Sequence, residues 1–181
     1  AILVSDRAFA GADTWATSYA LSSAIKTIPD YSVIICGKQA TDGDTAQVGP
    51  SVAEMLDIPH VAYVKKVEEI NDKFMKVERM MEDGYDLIET PVPCLITVVK
   101  EINTPRVASL KGKMNAKKAV IKQLNVQCIN ADTEKCGLKG SPTQVMKIFT
   151  PPQRKGGDKF TGEANVQAQA LVQKLKEASL I

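Results

Sequence analysis

The chain has 181 residues, and 44% of them are apolar, enough for one domain with a sizeable buried core. Its formal net charge is +2, so no overall field singles out nucleic acid or an anionic membrane as a partner. No apolar run reaches the length of a bilayer-spanning helix, and no secretory signal is visible.

The side-chain inventory excludes more. Cys36, Cys94, Cys128 and Cys136 form no paired CxxC pattern, and the first two lie in apolar, strand-like runs. They read as reduced core thiols of a cytoplasmic protein rather than as disulfides or metal ligands. His60 is the only histidine, which leaves no material for a His-based zinc site or a Ser-His triad. The expectation is no metal site and no catalytic side chain.

In chain order, Ile2 to Val4 reads as a buried strand. The chain opens on it without Met, and the expectation is that upstream sequence is missing. Asp13 or Thr14 can cap the helix that follows. Trp15, Leu21, Ala24, Ile25 and Ile28 fall near helical spacing there, and Pro29-Asp30 ends the pattern. Val33 to Cys36 is a short apolar strand ending at Gly37. A polar loop follows from Lys38 to Thr45. Val48, Val52, Met55 and Leu56 then mark a second amphipathic helix, closed by Pro59. Val61 to Val64 is the next strand. Strand, helix, strand, loop, helix, strand is the grammar of a parallel α/β sheet with crossover helices.

The middle changes character. Val67 to Ile70, Phe74 to Met81 and Tyr85 to Glu89 are separated by Asn71-Asp72 and Asp83-Gly84, which are hairpin signals. Leu95 to Val99 is a further strand. From Ile102 to Ala131 there is no Asp or Glu, and the segment is basic and poorly periodic. Val145 to Phe149 precede a Pro-Gly-rich arm, Thr150 to Gly157. The tail reads as a helix, capped at Thr161, with Ala164, Ala168, Leu171, Leu175 and Ala178 on one stripe.

The stretch that carries chemistry is Gly37-Lys38-Gln39-Ala40-Thr41-Asp42-Gly43-Asp44-Thr45-Ala46-Gln47-Val48-Gly49-Pro50. It follows a parallel strand and opens a helix, the place where open α/β sheets bind ligands. Free amides at about Thr45, Ala46, Gln47 and Val48, with the helix dipole, suit a phosphate. Asp42 and Asp44 would repel a phosphate at contact distance. They read instead as partners of backbone amides or of a ribose or flavin hydroxyl. As a bare pattern this is neither a Walker loop nor GxGxxG, so a nucleotide site and a capped structural loop both stay open.

The same segment closely resembles the nucleotide-binding signature of electron transfer flavoprotein beta subunits. Asn103 to Leu110, followed by Met114 to Lys118, resembles that family's recognition loop. Phe149 to Pro152 and the final helix resemble its C-terminal arm. The resemblance implies a Rossmann-like, adenine nucleotide hydrolase-like α/β domain over residues 1–149, with a recognition loop at about 102–122. It implies a C-terminal arm and helix, 150–181, that docks on an alpha subunit. The family's N-terminal strand and loop, which also contact the nucleotide, have no counterpart here.

Two cofactors follow from the resemblance. One branch of the family holds AMP in this subunit as a structural ligand. The electron-bifurcating branch holds FAD, takes a hydride from NADH, and sends electrons to ferredoxin or flavodoxin and, through the alpha-subunit flavin, to a partner dehydrogenase. Ser5 to Ser18 and the Asp-Gly-Asp-Thr-Ala-Gln loop resemble the bifurcating branch. That favours FAD over AMP and places Arg7, Gly11, Asp13 and Thr14 near the flavin or NADH, although Asp13 and Thr14 would serve as a helix cap in any case. The chemistry is then the cofactor's own.

The basic segment is open to three readings: a solvated face, a nucleic-acid patch or a docking element. It has no interleaved aromatics, which disfavours nucleic acid. The resemblance points to docking, with Leu110 matching a hydrophobic anchor and Arg106, Lys111 and Met114 around it. The partner dehydrogenase, of acyl-CoA or 2-hydroxyacid type, stays open.

Overall fold

The computed structural model describes residues 1–153 and 156–181. They form two compact units, residues 1–144 and residues 145–181. Of the arm expected at 150–157, Arg154 and Lys155 lie outside the described residues. No described helix is long and apolar enough to cross a membrane.

The first unit is mixed α/β. Strand β1 (Ile2–Val4) leads into helix α1 (Thr14–Ile25), and β2 (Val33–Gly37) into α2 (Val48–Leu56). Then come β3 (His60–Ile70), β4 (Phe74–Met81), β5 (Gly84–Pro91) and β6 (Cys94–Val98). Helix α3 (Leu110–Lys118) and β7 (Lys122–Leu124) complete it.

The strands divide into two sheets. β1 pairs in parallel with β7, and a five-stranded sheet runs β2-β6-β3-β4-β5. β2, β6 and β3 are parallel, whereas β3, β4 and β5 are antiparallel. Both hairpins expected from Asn71-Asp72 and Asp83-Gly84 form. Asn71 Oδ1 accepts from the amides of Lys73 at 2.9 Å and Phe74 at 3.0 Å, an Asx turn.

Two strands read separately, 61–64 and 67–70, are one continuous strand. It belongs to the parallel part at its start and to the meander at its end. Register shifts between Val61 and Val64 and again between Val64 and Lys66 bend it, and Tyr63 takes a left-handed φ of 60° there. The polar run from Lys65 to Glu69 hides this continuity, because that half of the strand faces solvent on both sides.

The core follows the sheet. Val61, Val64, Met75, Val77, Cys94 and Ile96 form one buried cluster. Val52 and Ala53 of α2 pack with Leu95 of β6, with Ile25, Ile34 and Leu56 around them. Ala24, Leu124 and Ile129 join α1 to β7 and the segment after it.

Helix α1 differs from its expected face. Its buried residues are Ala16, Ser18, Ala20, Ser22 and Ala24, whereas Trp15 and Leu21 stay 53% and 37% exposed. Small residues let α1 and α2 approach closely. Ser22 Oγ lies 3.7 Å from Met55 Sδ, and Ser18 Oγ reaches the Val48 carbonyl at 3.4 Å. The helix also stops at Ile25, before the expected Ile28.

Residues 126–143 strap across the start of α1. Asp6 accepts from Ala8 N at 3.0 Å and from Val126 N at 3.1 Å. Asp13 Oδ1 caps α1, accepting from Trp15 N and Ala16 N, both at 3.0 Å. Its Oδ2 accepts from Thr143 N at 3.0 Å and Thr143 Oγ1 at 2.9 Å. Gly137 fits the strap because a Cβ there would lie 2.3 Å from the Ala8 carbonyl oxygen. The amides of Ala8 and Val126 hold the Asp6 carboxyl below its ordinary value. Burial pushes Asp13 up, but the amides of Ala16, Thr143 and Trp15 and the Thr143 hydroxyl outweigh it and hold it low.

The segment expected to lack periodicity contains α3, capped by Ser109 Oγ, which accepts from Gly112 N at 3.1 Å. It was illegible as a helix because it buries no residue, so no apolar stripe marks it. In the second unit, α4 (Ala164–Glu177) is capped at Glu163 without a side-chain bond, not at Thr161. The helix begins two residues later than a cap at Thr161 would require. Lys174 and Asp158 form a solvent-facing ion pair at 3.2 Å.

Two stability predictions follow from these contacts. A Cβ at Gly49 would sit 2.6 Å from Thr97 Cγ2, while one at Gly43 would meet nothing within 4 Å. Gly49→Ala should therefore cost about 1–3 kcal/mol in denaturant unfolding, and Gly43→Ala much less. Asp13→Ala should cost about 1 kcal/mol at neutral pH through the lost cap. Because the folded Asp13 carboxyl titrates below its ordinary value, its contribution is full above about pH 4. It is lost as pH falls through the folded value, so the gap between variant and parent should close in acid; a gap that widens there would refute the assignment.

Candidate functional site

The α1–α2 contact brings two strand-to-helix junctions side by side. Residues 12–14 lead into α1, and residues 37–49 connect β2 to α2. Between them lies a cleft of about 650 Å³, within the range of small-molecule sites. Thr14 Oγ1 donates to Gln47 Oε1 at 2.9 Å and ties the two junctions together.

The helices present different ends to this cleft. α1 is closed by Asp13, whose two carboxylate oxygens are both occupied by the protein. α2 has no side-chain cap at Gln47. Its amides at Val48 and Gly49, and those of Thr45, Ala46 and Gln47 before it, have no protein acceptor among the described residues. The α2 terminus keeps its partial positive charge and its donors. Asp44 and Ala46 take left-handed φ values of 49° and 54°. Alternating left-handed residues turn successive N–H groups toward one side, the arrangement that holds anions. Such backbone in non-glycine residues is uncommon and costly.

The carboxylates of the loop serve the loop. Asp42 Oδ1 accepts from Gly43 N at 2.9 Å, and Asp44 accepts from Gln39 Nε2. A phosphate would therefore meet amides, with each aspartate already holding a donor of its own.

Of the residues singled out in sequence, Asp13, Thr14, 37–40, 42–43 and 45–49 line the cleft. Thr41 and Asp44 belong to the loop but do not line it. Arg7 lies in a short turn, Arg7–Phe9, and Gly11 packs against Leu138 at a φ of 74°; neither reaches the cleft. Ala12, Thr17 and the half-buried Cys36, whose thiol burial pushes up, line it without having been singled out. Thr17 is one helical turn on from Thr14 and could have been found by that spacing. Lys38 sits at the edge of the cleft, its ammonium 5.4 Å from the centre of the Tyr63 ring.

The basic segment is a separate surface feature of the same unit. Leu110 is 76% exposed and Met114 53% exposed, four residues apart on one face of α3. Arg106 and Lys111 are exposed beside them. Lys117 and Lys118 close the helix, where their charge suits the carbonyl end.

A family model described as "Electron transfer flavoprotein domain" matches residues 1–128. Along its whole length the chain is 50% identical to the electron transfer flavoprotein subunit beta of Thermoanaerobacterium thermosaccharolyticum, covering 69% of that protein. It is 49% identical to the caffeyl-CoA reductase-Etf complex subunit CarD of Acetobacterium woodii, again over the whole chain and 69% of the relative. With the acryloyl-CoA reductase electron transfer subunit gamma of Anaerotignum propionicum it shares 40% identity, over 99% of the chain and 70% of the relative. Motif, cleft and full-length similarity agree: the chain belongs to the electron transfer flavoprotein family, among its beta-subunit relatives.

Proposed function

We propose that this chain is the beta subunit of an electron transfer flavoprotein heterodimer and holds an adenine nucleotide, FAD, in the cleft between α1 and α2. The observation that carries this reading is the uncapped start of α2, with its row of unpaired amides from Thr45 to Gly49. Five donors and a helix dipole suit a diphosphate. The Thr14 hydroxyl lies at the opposite wall, within reach of a polar group of the same ligand.

A bound flavin would supply hydride and single-electron chemistry. The protein's part is to hold the phosphates, exclude water from the cleft and set the field around the ligand. Electrons would come from NADH and leave to ferredoxin or flavodoxin, and through an alpha-subunit flavin to a flavin-dependent dehydrogenase of acyl-CoA or 2-hydroxyacid type. Relatives named for caffeyl-CoA and acryloyl-CoA reductase complexes support a partner acting on acyl-CoA. AMP is the alternative ligand, because the amide row recognises phosphate and carries nothing that reads a flavin ring.

Helix α3 is the proposed dehydrogenase-docking element. Leu110 is an exposed anchor ringed by cations, so the anchor supplies contact energy and the charge speeds encounter.

Nucleotides released by denaturing the purified heterodimer, identified by chromatography, test the cofactor. Two FAD per heterodimer are expected; one FAD with one AMP would make this subunit a structural nucleotide binder. Leu110→Ala should slow electron delivery to the partner dehydrogenase about tenfold or more, the loss of an interface hot spot, without changing nucleotide content. Unimpaired delivery would remove α3 from the docking surface.

A further inference from the structure

Ser141 and Thr143 end the strap. Neither lines the cleft, yet both hold a residue of its wall. Asp13 lines the cleft on the α1 side, with Ala12, Thr14 and Thr17. Its Oδ2 accepts from Thr143 N at 3.0 Å and from Thr143 Oγ1 at 2.9 Å. Its own amide donates to Ser141 Oγ at 2.8 Å, and Ser141 Oγ donates in turn to the Gly137 carbonyl at 2.7 Å. Elsewhere along the strap, Asp132 N donates to the Tyr19 hydroxyl at 3.0 Å and Leu138 N to the Ala10 carbonyl at 3.0 Å. The strap is thus tied to the start of α1 at several points, and its last tie falls on a cleft residue.

That tie has an electrostatic side and a geometric one. The Asp13 carboxyl titrates below its ordinary value, so the cleft wall carries its negative charge at neutral pH. A carboxylate oxygen left free there would oppose a diphosphate on the α2 amides. The strap occupies Oδ2, while Trp15 N and Ala16 N occupy Oδ1. Held at both oxygens, Asp13 also fixes the first turn of α1, and with it Thr14. The Thr14 hydroxyl donates to Gln47, the residue at the uncapped start of α2. A run of contacts therefore leads from Thr143 through Asp13 and Thr14 to the helix end that carries the donors. Hydrogen bonds to an ionised acceptor are among the stronger ones, so the clasp holds its geometry well. Thr143 is exposed, so the clasp can open without disturbing the core.

We infer that Thr143 is a positioning residue for the nucleotide: acting through Asp13, its hydroxyl holds the α1 wall of the cleft in place and keeps the carboxylate on protein donors, so that losing it speeds nucleotide release. The inference rests on the nucleotide reading of the cleft, and not on which nucleotide fills it.

The heterodimer, purified with its native nucleotides, is diluted into excess ADP, which occupies the vacated cleft and prevents rebinding. Nucleotides freed over time are separated by filtration and identified by chromatography. The flavin of the alpha subunit is the internal reference, and its release should not change. Thr143→Val should speed release from this subunit about threefold to tenfold, and Thr143→Ser, which keeps the hydroxyl, should restore the parent rate. In an Asp13→Asn background, Thr143→Val should add less than about twofold, because the contact it acts through is already altered. Lys139→Gln breaks the exposed pair with Glu134 on the same strap without touching Asp13, and should leave release unchanged. If Thr143→Val does not assemble, Ser141→Ala removes the acceptor of the Asp13 amide and should speed release likewise. Unchanged release in the clasp variant, no rescue by serine, full additivity with Asp13→Asn, or equal acceleration by Lys139→Gln would overturn the inference while leaving the proposed function standing. A parent heterodimer that yields no nucleotide from this subunit would overturn both.

Discussion

The site depends on how closely α1 and α2 approach. Ser18 and Ser22 on one helix and the Val48 turn and Met55 on the other leave no room for large side chains at the contact. Gly49 presses the start of α2 against Thr97 of β6 in the same way. With the helices pressed together and against the sheet, both N-termini open on one cleft. A larger residue at either contact would move the row of amides away from the opposite wall. Close-packed interiors do not absorb such volume without displacement.

Two helix ends then divide the electrostatic work. α1 is neutralised by Asp13, which also fastens the strap at Thr143, so its dipole is satisfied by the protein itself. α2 keeps its donors free, and the loop before it holds Asp44 and Ala46 in left-handed backbone to keep them aligned. Left-handed alanine is unfavourable in isolation, so the surrounding loop must enforce it. Strain of this kind, beside an uncapped helix, is consistent with the nucleotide site proposed for the cleft.

Helix α3 has the opposite economy. Nothing in it is buried, its cap is local, and its length is below what an isolated helix needs to be stable. Such a helix is stabilised when a surface closes over Leu110 and Met114. Its cations match the carbonyl end of the helix and remain available for encounter with an acidic face.

Local chemistry was legible in the residues themselves. The loop 37–49 between strand and helix, the Asp13 cap, both hairpin turns and the α/β grammar all rest on short-range rules of periodicity, capping and turn geometry. What the sequence could not decide was set by contacts between distant segments. The small-residue face of α1 prevailed over Trp15 and Leu21 because α2 comes so close. The pairing of β1 with β7 and the place of β6 between β2 and β3 join segments far apart in the chain. Arg7 and Gly11, near the cleft in sequence, do not line it: Arg7 lies in the short turn before α1, and Gly11 packs against Leu138 of the strap. Periodicity records which face of an element is apolar, and only the packed structure determines what that face meets.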